Sequence, residues 1–176
     1  MSRLQDTKDQ RLEKIEKLKK LGIDSFISKF DKKHTIGESR GLLEKDTQTA
    51  GRIMSVRGHG ALVFMDLQDE TGKIQLILRQ DNLLDKENQV TALLDIGDFI
   101  GCSGKVIKSK TEEISIDVSG LTLLTKSIRP LPSQWYGLKD TEERYRKRYL
   151  DLLLNEKTKE VIDKRWAAER AIREYF

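Results

Sequence analysis

The chain has 176 residues, 37% hydrophobic and 35% charged, with a net charge of +4, enough for one barrel-sized core with helical extensions and short for two full-sized domains. No apolar run approaches the ~20 residues of a membrane span, the opening MSRLQDTKDQ lacks the apolar stretch of an export signal, and one cysteine, Cys102, cannot make a disulfide framework. A cytoplasmic protein with no membrane association is expected. Residues 1–50 carry 12 basic against 9 acidic side chains, residues 51–125 carry 8 against 11, and residues 126–176 carry 13 against 9. Counterion release would concentrate Lys and Arg in a domain that gripped nucleic acid through phosphates alone. If the middle segment binds nucleic acid, it has to read bases.

In chain order, Leu4, Leu12, Ile15, Leu18 and Leu21 fall at helical spacings among charged residues, and Gly22 follows as a left-handed stop. Residues 4–21 read as an amphipathic helix. Its polar face holds Arg11, Lys14, Lys17, Lys19 and Lys20 against Glu13 and Glu16. Two uses of that face stay open: contact with phosphates, or plain solvation while the Leu/Ile stripe docks. Residues 24–48, with Asp24, Gly37, Ser39 and Gly41, read as a connecting segment with a short helix.

From Thr49 the period changes to two. Strands are expected near 49–58, 61–68, 73–79, 99–109 and 113–124, separated by turns such as His59-Gly60 and Glu70-Thr71-Gly72. Between the third and fourth, Leu83, Leu84, Val90, Leu93 and Leu94 suit a short helix. Three strands, a helix and two strands is the order of an OB-fold, a five-stranded Greek-key barrel used for oligonucleotides.

Arg129-Pro130-Leu131-Pro132 is a stiff connector, because proline fixes its own φ and restrains the residue before it. Asp140 can then cap a helix with Glu142 and Glu143 in its first turn, and 158–176 reads as a further helix that stops abruptly, as if truncated. The expected organisation is a helix and connecting segment at 1–48, an OB-fold domain at 49–125, a linker at 126–139 and a helical region at 140–176. The fold class is mainly β with helical extensions.

Alternation sorts the barrel's side chains. Val63, Met65 and Leu67 share one face of the second strand, which leaves Leu62, Phe64, Asp66 and Gln68 on the other. Likewise Ile74, Leu76 and Leu78 point inward with Gln75 outward, and Ile114, Ile116 and Val118 inward with Glu113 outward. An outward ring flanked by an amide and a carboxylate suits base stacking, worth roughly 1–3 kcal/mol per base, with edge reading beside it. A surface aromatic without function fits the pattern equally well. Arg57 closes the first strand near Phe64, as a surface arginine or a base or phosphate contact.

No catalytic constellation, phosphate-cradling glycine loop or metal-ligand spacing is present. His34 and His59 read as turn or loop residues, and Cys102 as a packed thiol. The basic run Arg144, Arg146, Lys147, Arg148, interleaved with Tyr145 and Tyr149, reads as a solvated or interface-forming helix ahead of an RNA contact.

Three segments, TAGRIMSVRGHGALVFMDLQDETGKIQLIL, DIGDFIGCSGKVIKSKTEEISI and LLTKSIRPLPSQWYGLKDTEERYRKRYLDLLLN, resemble the lysyl-tRNA synthetase family. The first two are similar to the anticodon-binding OB domain shared with the aspartyl and asparaginyl enzymes. The third, with RPLP, GLKD and RYRKRYLDL, resembles the lysyl family specifically. The resemblance, of the bacterial class II type, implies an N-terminal anticodon-binding region with tRNA(Lys) as partner and Arg57, Phe64, Gln75 and Glu113 at the anticodon contacts. The ring would stack on the central uridine while the arginine, amide and carboxylate help select uridines. It also implies a homodimeric full-length ligase that uses ATP and Mg²⁺ to make a lysyl-adenylate. Its catalytic domain would begin at 140–176, leaving this piece without the catalytic core, inactive alone and binding no cofactor. One departure stands out: the family's Thr-Gly-Glu turn before the fifth strand reads Thr111-Glu112-Glu113 here. The alternative from a different class is a stand-alone OB module for single-stranded nucleic acid.

Overall fold

The computed structural model describes residues 3–59, 62–109, 112–132, 138 and 140–176. Gly60 of the expected hairpin turn, Thr111 of the turn before the fifth strand, and connector positions 133–137 and 139 lie outside them. Two compact units divide at Pro130 and Leu131.

The first unit holds the expected barrel. β1 (Asp46–His59), β2 (Leu62–Gln68), β3 (Lys73–Arg79), β4 (Phe99–Lys108) and β5 (Ile114–Thr125) close in the order β1-β2-β3-β5-β4. All pairings are antiparallel except β3 with β5. β1 runs longer than alternation suggested because Asp46, Thr47 and Gln48 pair with Lys105, Gly104 and Ser103 of β4, while its far half pairs with β2. An irregularity between Ile53 and Ser55 lets one strand serve both neighbours, since a bulge bends and twists the strand that carries it. Gly51 sits where the strands close in: a Cβ there would lie 2.5 Å from the Gln68 carbonyl oxygen.

Met65, Leu67, Leu76, Ile116 and Val118 are fully buried, so the inward faces are as alternation placed them, with Val63 and Ile114 packed at the rim. α3 (Asp85–Leu93) closes one end of the barrel through Val90. Leu83 and Leu94 also join the core, but Leu84 precedes the helix and stands 73% exposed, so it is not part of the packed stripe.

α1 (Arg3–Lys20) ends at Gly22 as expected, with φ of 67° and the Ile23 amide donating to the Leu18 carbonyl at 3.0 Å. Its docking departs from the expected apolar stripe. Leu18 is fully buried, but Leu4 and Leu12 are 60% and 40% exposed. Arg11, expected on the polar face, is buried: its guanidinium donates to the carbonyls of Ser127, Arg129 and Ile96 and to Ser127 Oγ at 2.8–3.1 Å. Lys14 pairs with Asp95 at 2.7 Å. Two of the five cations on that face therefore bind protein; for Arg11, five fixed donors suit a cluster of loop carbonyls as well as they suit phosphate.

α2 (Ile36–Arg40) is held by a capping box between Thr35 and Glu38. Asp69 ties it to the β2–β3 turn. One Asp69 oxygen accepts from Lys32 Nζ and the Ile36 amide, and the other from the Thr71 amide and hydroxyl and the Gly72 amide. Burial alone would raise the pKa of Asp69, but Lys32 and these hydrogen bonds outweigh it and hold the carboxyl at about 2. A depressed folded value stabilises above the unfolded pKa near 3.8 and is lost as pH falls through about 2. Asp69→Asn should therefore cost about 1–2 kcal/mol at neutral pH. In urea unfolding measured across pH, its difference from the parent should shrink towards zero in that acid window.

The second unit holds α4 (Thr141–Arg146), α5 (Arg148–Leu154) and α6 (Glu156–Tyr175). Asp140 caps α4 as expected, accepting from the Glu142 and Glu143 amides.

Candidate nucleic-acid interface

β1, β2, β3 and β5 are consecutive neighbours, so their outward side chains form one continuous surface. The register lines up Arg57, Phe64, Ile77 and Asp117 in one row and Ser55, Asp66, Gln75 and Ser115 in the next. Residues directly opposite on antiparallel strands share a face about 5 Å apart. Three of the four residues singled out in the sequence therefore meet here by backbone pairing: Arg57 opposes Phe64, and Gln75 lies one row away.

Phe64 is half-buried, its ring in the middle of the surface. Arg57, 64% exposed, pairs with Asp66 at 3.5 Å. Asp66 also accepts a short hydrogen bond from Ser55 Oγ. Beyond the first row, Arg79 donates to Asp117 at 3.0 Å.

Gln75 occupies the outward face but is not open, being 8% exposed, because its amide is spoken for by neighbours. Its Nε2 donates to Glu113 Oε2 at 3.0 Å and its Oε1 accepts from Ser115 Oγ at 3.1 Å. An ionised carboxylate only accepts, so the nitrogen must face Glu113 and the oxygen Ser115. Among the described residues, one amide hydrogen of Gln75 and one carboxylate oxygen of Glu113 are left to meet a ligand. A donor beside an acceptor matches a base edge that presents the reverse pair.

Glu113 is the fourth candidate, and its turn lacks the glycine of similar sequences. Glu112 takes the left-handed conformation itself, with φ of 63°, at a cost of roughly 1–2 kcal/mol for a residue with a Cβ. The Glu112 amide donates to Ser109 O, the Ser109 amide to Glu113 O, and the Glu113 amide to Ser109 Oγ. Lys108 pairs with the Glu112 carboxylate at 3.1 Å. Glu113 still reaches Gln75.

The surface is of mixed charge: Asp66, Glu113 and Asp117 stand among Arg52, Arg57, Lys73 and Arg79, within a segment of net negative charge. Stacking and edge contacts therefore have a large share of any affinity for RNA here. Ser55, Asp66 and Ser115 were not singled out in the sequence. Asp66 and Ser115 carried one signal, their position two residues from Phe64 and from Glu113, whereas the irregularity in β1 hides the pairing of Ser55.

The remaining candidates are structural. Burial pushes the Cys102 thiol up to about 12, leaving no thiolate at neutral pH. His34 Nδ1 lies 3.2 Å from Thr47 Oγ1, and the His59 side chain is outside the described residues. In the second unit, Arg144 and Arg148 both bind buried Asp151, and Arg146 and Lys147 pair with Glu142 and Glu143. The basic run spends its charge holding helices together. Among the described residues, no group of three or more His, Cys, Asp or Glu could hold a metal ion, and no helix is long and apolar enough to cross a membrane.

Residues 48–124 match a family of OB-fold nucleic acid binding domains. The chain is 43% identical over 170 residues to a lysine–tRNA ligase of Carboxydothermus hydrogenoformans, covering 94% of the chain and 35% of that protein. It is 42% identical over 170 residues to one of Moorella thermoacetica, with the same coverage. One of Thermotoga maritima is 40% identical over 184 residues, covering 98% of the chain and 37% of that protein. The chain thus spans about a third of the length of the curated relatives it matches.

Proposed function

We propose that this chain is the anticodon-binding part of a lysine–tRNA ligase, a reading supported by the match of residues 48–124 to the tRNA anti-codon family of OB-fold nucleic acid binding domains. The observation that carries the reading is the surface on β1, β2, β3 and β5, where Phe64 lies opposite Arg57 and one row from the Gln75 and Glu113 pair. In this reading the ring of Phe64 takes a base of the tRNA(Lys) anticodon as a stacking partner. Arg57 and the free donor and acceptor of Gln75 and Glu113 meet base edges, favouring uridines. The rest of the protein would join lysine to the tRNA through a lysyl-adenylate and act as a cytoplasmic homodimer, with residues 140–176 leading into its catalytic domain. ATP and Mg²⁺ would be held by that catalytic domain, and no step through them is assigned to this chain.

Phe64→Ala should weaken binding of an anticodon stem-loop with a UUU loop by roughly ten-fold or more, the loss of one stacking contact. Fluorescence anisotropy on the 176-residue chain measures it. Unchanged affinity with the barrel still folded would remove the reading's central residue. Equal affinity for the stem-loop and for a linear uridine-rich strand would favour a general single-strand binder.

A further inference from the structure

Arg57 is 64% exposed and carries its charge on a long, flexible side chain, so something has to set where its guanidinium points. The register places Asp66 beside it: Arg57 opposes Phe64, and Asp66 follows two residues later on the same face of β2. The Asp66 carboxylate is itself fixed, because one oxygen accepts from Ser55 Oγ, which pairs with it across the same strands. The other oxygen holds Arg57 Nη2 at 3.5 Å. Asp66 is about two-thirds buried on its side-chain surface, whereas Arg57 is 64% exposed, so the carboxylate is the fixed end of the pair and the guanidinium the movable one.

We infer that Asp66 is a positioning residue, which acts through Arg57 to hold a guanidinium beside the Phe64 ring, where a stacked base presents its edge. This rests on the reading of the surface as a single-stranded RNA site. Without Asp66 the side chain would sample solvent and neighbouring phosphates, and ordering it again would fall on the binding step. The negative charge also weighs against a phosphate settling on Arg57, which turns the arginine from a backbone contact into a base contact. Asp66 thus lowers charge on a surface that binds a polyanion, so its simple electrostatic effect and its positioning effect have opposite signs.

That opposition makes a double-mutant cycle decisive. The 176-residue chain is titrated with the UUU stem-loop as the parent, as Asp66→Asn, as Arg57→Ala and as both. Asp66→Asn should weaken binding by roughly two- to five-fold in the parent, within the range of an exposed charge pair, and should leave affinity unchanged or tighter when Arg57 is already alanine. Ser55→Ala, which frees the carboxylate without touching its charge, should weaken binding in the same direction by a smaller factor. Tighter binding on Asp66→Asn in both backgrounds would make Asp66 a repelling charge only, and equal weakening in both would make it structural; either overturns the proposal. Should Asp66→Asn lower the melting temperature markedly, Ser55→Ala with Arg57→Ala gives the same cycle. Failure of the parent to bind the stem-loop, or indifference to Phe64→Ala, sinks the RNA reading itself and is seen before the cycle begins.

Discussion

Lys126→Met is expected to cost the barrel about 3–5 kcal/mol, a large part of the roughly 5–15 kcal/mol that holds a domain of this kind folded. The Lys126 side chain is fully buried, and its ammonium spends all three hydrogens on the Leu93 carbonyl, Asp95 and Asp98 at 2.6–2.7 Å. Asp98 is equally buried and also accepts from the Asp95 and Ser127 amides. Asp95 binds Lys14 of α1 in turn. Methionine keeps much of the volume but leaves a buried carboxylate whose strongest partner is gone. Pairing it with Asp98→Asn should recover part of the loss, because the leftover charge disappears. Urea unfolding followed by circular dichroism measures both. A cost below about 1 kcal/mol for Lys126→Met would mean that the cluster does not brace the barrel.

Gly104→Ala is the second large effect. The glycine lies on β4 where the register against β5 shifts between Ser103 and Gly104, and an added Cβ would sit 2.1 Å from the Asp117 carbonyl oxygen and 3.0 Å from Val118 Cα. The obstacle is backbone of the paired strand, which cannot rotate aside. The strands would have to part, and the expected cost is about 3 kcal/mol or more, at the upper end for overpacking. Gly58→Ala is the matched control: among the described residues nothing lies within 4 Å of its added Cβ, so stability should change by less than about 1 kcal/mol. Similar costs for both would place the effect in glycine's backbone freedom and not in the close approach.

What could be read from the sequence follows the range of the forces involved. Alternation is local, so the five strands, their inward faces and the outward position of Phe64 were legible. Caps are local too, and Gly22 and Asp140 act as expected. The polar docking of α1 was not, because a helical wheel assigns Arg11 to solvent, whereas its partners come from Ile96, Ser127 and Arg129, far along the chain. Lys126 gave no sign of burial either, since its carboxylates lie 31 and 28 residues earlier. Outward and exposed also proved to be different properties. Gln75 points away from the core as alternation requires, yet two neighbours brought in by the parallel pairing of β3 with β5 close over it. Glu112 shows the converse: the missing glycine was visible, but the hydrogen bonds from Ser109 and Glu113 that sustain a strained residue were not.

The central claim is that RNA lies on the outward face of β1, β2, β3 and β5. An amide NMR titration of the labelled chain with the UUU stem-loop tests it most directly. The account predicts the largest shifts at Arg57, Phe64, Gln75, Glu113 and their row neighbours Asp66 and Ser115. Shifts concentrated on α1 or α6, with those residues unmoved, would contradict it.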